Sequence, residues 1–383
     1  MDLLAKFAAG LALCALGYYL VCLWSALGVL RQKEAVPASP LPPLSVLKPL
    51  RGADPELYDA LRSHCTQDYP QYEVLLGVGD AADPAVTVAE QLVREFPGRV
   101  RLVVCPEVLG ANRKVSNLIQ MLAQARHGHL LVNDSDIHVT PDYLRRIFVH
   151  FEDASVGMVT SLYRGRASGT LGSRLEALSI STDFIPGVLA ARQLEGVRFG
   201  LGCTLAMSRK ALDAIGGFGP IVDYLADDYE LGYRISKSGM RVALSKLVVE
   251  THVPGYSLSR FFEHQLRWAR TVRHARPASY FGMALSFGQT WALAALLLSR
   301  FAPWAWSLLG VTVVMRWVMA MVVGAGVLGD REAIRSFWLM PLRDLLSVVV
   351  WLGSYAGRRI HWRGDDFILE KGKLREKGKL RPA

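Results

Sequence analysis

The sequence predicts an α/β domain built on a mixed, mainly parallel sheet, with apolar helices towards both ends of the chain. Three observations carry this prediction. Between Leu44 and Val132, short apolar runs alternate with stretches of helical periodicity. That alternation builds parallel strands joined by right-handed crossovers. Three of the runs end at or beside a charged residue, namely Lys48, Asp80 and Asp134. Phe7 to Leu30 is a 24-residue stretch without a formal charge, and further apolar segments follow Phe281.

Bulk properties agree. The 383 residues are 51% hydrophobic, and mean hydropathy is +0.22, too apolar for one soluble domain. About 250 residues between the apolar ends suffice for a full core. Net charge is +10 but uneven: Arg358 to Ala383 hold nine Lys or Arg against four Asp or Glu, half of the excess. A basic tail beside apolar segments implies contact with anionic lipid. No zinc spacing or interleaved basic-aromatic platform is present, which argues against a nucleic-acid partner. The cysteines (14, 22, 65, 105 and 203) are odd in number and scattered, as on a reducing cytosolic face.

The expected elements run as follows. Phe7 to Leu30 can span a bilayer, and the exit Arg31-Gln32-Lys33 favours a retained anchor with its far side cytosolic. Ala35 to Pro43 is a Pro-rich linker. The run from Leu44 to Leu50 is a strand that ends at Lys48-Pro49. Asp54 caps a helix to Cys65, with Pro55 at its first position. Tyr72 to Asp80 is a buried strand ending in a carboxylate, Pro84 to Phe96 a helix, Val100 to Val104 a strand. Asn112-Arg113-Lys114 leads a helix towards Ala125, and His129 to Val132 is the fourth strand. Val156 to Leu162 is a strand, Leu171 to Arg192 an apolar helical stretch broken at Pro186-Gly187. Gly200 to Met207 is a strand whose glycines permit close backbone approach. A helix begins at Asp227-Asp228 and ends near Lys237, and Val242 to Val249 is the last strand. Ser257 to Arg270 has the pattern of an amphipathic interfacial helix. Apolar segments follow at 281–299 and 304–328, the second carrying Arg316, which needs a partner or a function there. If the α/β domain is cytosolic, two crossings return the chain to the cytosol near Arg331 and Arg335. Segment 337–356, with Pro341, Arg343 and Asp344, is then expected to be re-entrant or interfacial. The domain scheme is an anchor at 1–34, a linker at 35–43, the α/β domain at 44–256, the interfacial helix at 257–280, membrane segments at 281–357 and a mobile basic cytosolic tail at 358–383.

Chemistry concentrates at strand ends. Asp134-Ser135-Asp136 puts two carboxylates just beyond a buried strand, at the edge where open α/β sheets bind ligands. Such a pair suits Mg2+ or Mn2+ with positions left for a diphosphate. The same residues would also make an ordinary strand-ending Asx turn. Asp80 and Lys48 at neighbouring strand ends favour a site, although Asp80 alone could be a turn residue and Lys114 a solvated helix-start lysine. Asp227 and Asp228 could merely stabilise a helix N-terminus, or supply a general base.

Taken together, Lys48-Pro49, Asp80, Asp134-Ser-Asp136, Asp227-Asp228 and Arg267-Trp268 resemble, in order and spacing, a membrane-bound GT-A glycosyltransferase of the family 2 type. More narrowly the chain resembles ceramide glucosyltransferases and their bacterial hopanoid-associated relatives. Ser45 to Gly52, Asp68 to Leu76, Lys114-Val-Ser-Asn117 and Trp362-Arg-Gly364 share in that likeness. The resemblance implies a GT-A catalytic domain, a UDP-sugar donor, a lipid acceptor and a divalent metal, in a bacterial inner membrane with the catalytic face cytosolic. It implies Asp228 as general base; Lys48, Asp80, Lys114, Asp134, Arg267 and Trp268 at the donor, with Asp80 on the uridine; and Asp134 with Asp136 on the metal. Asp227, His252, His264 and Gln265 are further candidates, because His264 stands where the Q/R-x-x-R-W motif begins and Gln265 lies one place later. The expected reaction is inverting transfer to a hopanoid from UDP-N-acetylglucosamine. The alternatives are transfer to ceramide from UDP-glucose, a processive polysaccharide synthase, and a non-catalytic tethered binding protein.

Overall fold

The computed structural model describes residues 3–33, 40–54, 56–362 and 365–376. Linker residues 35–39, Pro55, Arg363-Gly364 and the basic tail from 377 onward lie outside the described residues. The chain divides into two compact units, one of Met1–Gln32, Arg164–Gly196 and Val253–Arg358, the other of Lys33–Tyr163, Val197–His252 and Arg359–Ala383.

The second unit is organised by an eight-stranded sheet of order β3-β2-β1-β4-β7-β6-β8-β5. Its strands are β1 Leu44–Leu50, β2 Tyr72–Val78, β3 Val100–Val104, β4 His129–Val132, β5 Ile137–His138, β6 Val156–Ala167, β7 Leu205–Ser208 and β8 Arg241–Val253. Strands β3, β2, β1 and β4 run parallel, while β4–β7, β7–β6 and β8–β5 are antiparallel. This is the mixed, mainly parallel sheet expected. β1 and β2 are buried along their whole length, which is why they read as unbroken apolar runs rather than alternating ones. The core joins Leu47, Leu75, Val103, Leu130, Val132, Leu205 and Met207 from the strands with Leu118, Met121, Leu231 and Ile235 from helices.

The expected helices form at Leu57–Cys65, Ala85–Glu95, Arg113–Leu122 and Asp227–Lys237. Asn112 caps the third by accepting from the Val115 N–H at 3.3 Å. Strands β6 and β8 run longer than their apolar cores imply. Polar residues such as Arg164, Glu250 and Thr251 join them because ladder hydrogen bonds extend past the buried part.

The tail departs from expectation. Instead of a mobile segment, residues 359–362 and 365–376 form an antiparallel sheet of β9 Arg359–Trp362, β10 Asp365–Glu370 and β11 Lys373–Glu376. An isolated small sheet is unstable without a face to pack on. Here Ile360, Phe367, Leu369 and Leu374 bury together with Leu225, and Ala111 and Trp362 pack against them.

The first unit is helical. Leu3–Leu30, Pro303–Val327 and Phe337–Tyr355 are each long and apolar enough to cross a membrane. Segment 337–356, expected to be re-entrant, is thus a continuous candidate span. The break lies instead at Pro277–Ser286 and Gly288–Leu298, two helices bent by 54°. The stretch after Leu171 stays helical through Pro186, and the Thr182 carbonyl four residues before that proline accepts from Arg316 at 2.9 Å in place of the missing N–H. The irregularity is a π-helical turn at Ile180–Phe184. Arg316 is buried and paired: its guanidinium meets Asp183 at 2.5 Å, Asp344 at 2.7 Å and the Thr182 carbonyl at 2.9 Å.

Candidate active site

The parallel neighbours β2, β1 and β4 bring Asp80, Lys48 and Asp134 to one edge of the sheet. Lys48 was expected to touch the donor. It is instead fully buried, with 0% exposure, and its ammonium donates to the Asp134 backbone carbonyl at 2.7 Å. Burial pushes its pKa down to about 7, against the pull of Asp136 and Asp134. Lys48 therefore fixes the loop after β4 from beneath.

Above it lies a cluster of three carboxylates and one ammonium. Lys114, in the first turn of its helix, reaches Asp134 at 2.8 Å and Asp227 at 2.9 Å. Burial works against its charge, but the two carboxylates outweigh that cost and hold its pKa above the ordinary lysine value. Asp134 keeps 44% of its side chain exposed. Gly202 separates it from Asp228: the Gly202 N–H donates to Asp228 Oδ2 at 3.0 Å, and the Gly202 carbonyl accepts from the Asp134 N–H at 3.2 Å. A Cβ at Gly202 would come within 2.6 Å of Asp134 Oδ2 and 3.5 Å of Asp228 Oδ2. Asp228 also accepts from the Tyr229 N–H at 2.7 Å. Burial first, and the neighbouring Asp227 second, raise its pKa to about 7, while Lys114 opposes the rise. A carboxyl that titrates near neutrality suits a general base.

Asp136, expected as the second metal ligand, is committed elsewhere. Its carboxylate accepts from the Thr251 hydroxyl at 2.7 Å, and its backbone carbonyl accepts from the His252 N–H at 3.3 Å. Burial and the adjacent Asp134 favour its protonated form. Asp80 is exposed and closes an Asx turn, accepting from the Ala82 N–H at 2.9 Å. No group of three or more His, Cys, Asp or Glu side chains is arranged to hold a metal among the described residues. The exposed Asp134 nevertheless fits a cation whose remaining positions a diphosphate and water would fill, the usual arrangement for Mg2+.

Asn112 and Thr251 are residues that sequence reasoning did not single out. The Asn112 amide donates to the Tyr224 carbonyl at 2.8 Å and approaches Asp227 at 3.5 Å. Its place just before a helix was the available signal.

Candidate His252 lies near the end of β8 in the sheet unit, and the others belong to the helical unit, on the helix Leu258–Ala275. His264 pairs with the buried Glu176 at 2.9 Å and lies between the rings of Tyr256 and Trp268. Trp268 also meets Phe184, their ring centroids 5.9 Å apart. Gln265 is buried and accepts from Arg343 at 3.2 Å. Arg267 is half-buried on the same helix.

The profile of glycosyl transferase family 21 matches residues 7–375. Ceramide glucosyltransferase 3 of Caenorhabditis elegans is 27% identical over 234 residues, 61% of this chain and 51% of that protein. Ceramide glucosyltransferase of Komagataella phaffii is 32% identical over 116 residues, 28% of this chain and 23% of that protein. The chain thus spans about half the length of the first of these relatives. Among solved structures, a mannosyltransferase from Pyrobaculum calidifontis, in complex with GDP-Man and Mn2+, superposes with a TM-score of 0.58 at 20% identity. The superposition covers 91% of this chain and 99% of that one, and it shows the shared fold.

Proposed function

The chain belongs to glycosyl transferase family 21, and on that premise we propose that it transfers a hexose from a UDP-sugar to a lipid hydroxyl with inversion. The observation that carries this reading is the cluster itself: Asp228, with its pKa raised to about 7, stands across Gly202 from the exposed Asp134. In the proposed reaction Asp228 takes the proton of the acceptor hydroxyl as that oxygen attacks the anomeric carbon. The bond from that carbon to the diphosphate breaks, and UDP leaves with the electron pair. Asp80 lies at the strand end assigned to the uridine. Lys114 orients Asp134 and Asp227. Arg267 and Trp268 are proposed to serve diphosphate and acceptor. Asp134 would hold a divalent metal, which when bound supplies charge to neutralise the leaving diphosphate; Asp136 would support the loop through Thr251.

The relatives favour ceramide as acceptor and glucose as sugar, because those named above are ceramide glucosyltransferases. A hopanoid with UDP-N-acetylglucosamine is the second reading. Three helices apolar enough to span a membrane support a membrane-resident enzyme, which we place in a bacterial inner membrane with the sheet unit cytosolic. Mass spectrometry of lipids from cells with and without the protein, and with Asp228→Asn, tests the proposal. A lipid heavier by one hexose, present only with the wild type, is the expected result. An N-acetylhexosamine increment would move the assignment to the second reading. Long sugar polymers would indicate a processive synthase, and an unchanged lipid profile would overturn the transfer.

A further inference from the structure

The helix carrying Asp227 and Asp228 starts without a side-chain cap. Its N-cap position is Ala226, which has no side-chain group to bond the first N–H groups, and Asp228 itself accepts from the Tyr229 N–H at 2.7 Å. Two adjacent carboxylates occupy its first turn, and Asp227 raises the pKa of Asp228, so the pair repel each other. Lys114, Gly202 and the Gly200 N–H hold Asp227 and Asp228 directly, and the irregular segment that leads into the helix is held by the sheet β9–β11.

The contacts are specific. The Leu225 N–H donates to the Gly372 carbonyl at 3.1 Å, and the Leu374 N–H donates to the Asp223 carbonyl at 2.7 Å. Tyr224 and Lys373 thereby form an antiparallel bridge. The Lys373 ammonium lies 5.2 Å from the centre of the Tyr224 ring, whose other cation neighbour, Arg234, is at 5.5 Å. The turn needs its glycine: Gly372 has φ +81, and an added Cβ would stand 3.5 Å from the Tyr224 ring. Leu225 is buried in the apolar core of the small sheet. The same sheet is tied to the end of β1 by the ion pair Arg51–Asp365 at 3.0 Å. Asn112, two residues before Lys114, donates to the Tyr224 carbonyl at 2.8 Å.

We propose that the sheet β9–β11 is a positioning element for the transfer step, with Gly372, Lys373 and Leu374 setting the place of Asp227 and Asp228 by pairing with Asp223–Leu225. This deepens the proposed function and rests on it for its kinetic consequence, whereas its structural consequence stands apart from catalysis. Loosening the pairing lets the helix start drift, so the base moves relative to Asp134 while the parallel strand ends keep their places. A misplaced catalytic group costs turnover far more than donor affinity.

The test uses the full chain with Lys373→Ala, Lys373→Arg and Leu374→Asp. Hydrogen–deuterium exchange of amides 225–231 reads positioning without any substrate. Faster exchange there in Lys373→Ala and Leu374→Asp, with near wild-type exchange in Lys373→Arg, is expected. Kinetics should show kcat lower on the order of tenfold to a hundredfold in the first two, UDP-sugar affinity within about twofold, and recovery in Lys373→Arg. Unchanged exchange and unchanged kcat in Lys373→Ala and Leu374→Asp would overturn the proposal. So would a parallel loss of donor binding, turnover and thermal stability, which marks a merely structural sheet. A wild type that transfers no sugar but shows the exchange pattern would refute the proposed function and leave the positioning role standing.

Discussion

At the scale of single residues, the site is governed by how four charges share one small space. Asp228 can accept a proton only as a carboxylate, and its pKa is raised to about 7. Turnover should therefore fall as pH drops through about 7 and level off above it. Lys114 opposes that rise, so Lys114→Met should move the acid limb of the kcat–pH profile to higher pH. A limb that stays in place, or moves down, would remove Asp228 from the base role. Asp228→Asn should lower kcat by about 10²–10⁴-fold while UDP-sugar still binds, as calorimetry can check. The acidic residues were legible in the sequence because a carboxylate just past a buried strand or in a first helical turn has few bland explanations once several share an edge. The role of Lys48 was not legible. A lysine at a strand end reads as a ligand contact, and only the packing reveals that it lies wholly beneath the loop.

At the scale of elements, the backbone decides how close the two carboxylates come. Gly202 is the spacer between Asp134 and Asp228. Because the nearest atom to an added Cβ is the tip of a side chain 2.6 Å away, Gly202→Ala should displace Asp134 more than it unfolds the sheet. The expected outcome is weaker metal-dependent donor binding with a melting temperature near that of the wild type. Unchanged donor affinity would place the donor away from Asp134. The parallel strands β1 to β4 were predicted almost to the residue, since burial on both faces of β1 and β2 leaves an unmistakable apolar run and β3 and β4 are short, bounded apolar stretches. Strands β9 to β11 were hidden for a physical reason. Their alternating inward residues, Ile360, Phe367, Leu369 and Leu374, sit among Arg359, Asp366, Glu370, Lys373 and Arg375, and charge outweighed period. The same alternation, with Lys371-Gly372 as its turn, was the signal available.

At the scale of the whole molecule, each unit is assembled from stretches remote in sequence. In the helical unit the polar network around Arg316 joins Asp183 to Asp344. Removing the guanidinium leaves two carboxylates without their cation, and such losses cost about 3–5 kcal/mol. Arg316→Ala should accordingly lower the melting temperature in detergent by many degrees, and a small change would mean that water reaches the network. Sequence reasoning recognised that Arg316 needs a partner but not which one, because pairing between distant helices leaves no local pattern. It also drew the domain boundaries as consecutive blocks, whereas 164–196 joins the helical unit and 359–376 the sheet unit.

That last arrangement has a consequence for biogenesis. A ribosome delivers Asp228 long before it delivers Gly372 and Leu374, which supply backbone partners to Leu225 and Asp223. Long-range pairings of this kind form late, since the intervening chain must be made and ordered first. The growing polypeptide therefore holds the parallel strand ends and their carboxylates early but lacks the strands that grip the segment before the helix. In the proposed reaction full turnover then waits for those strands, and a nascent chain that lacks them turns over slowly even where it already holds sugar nucleotide.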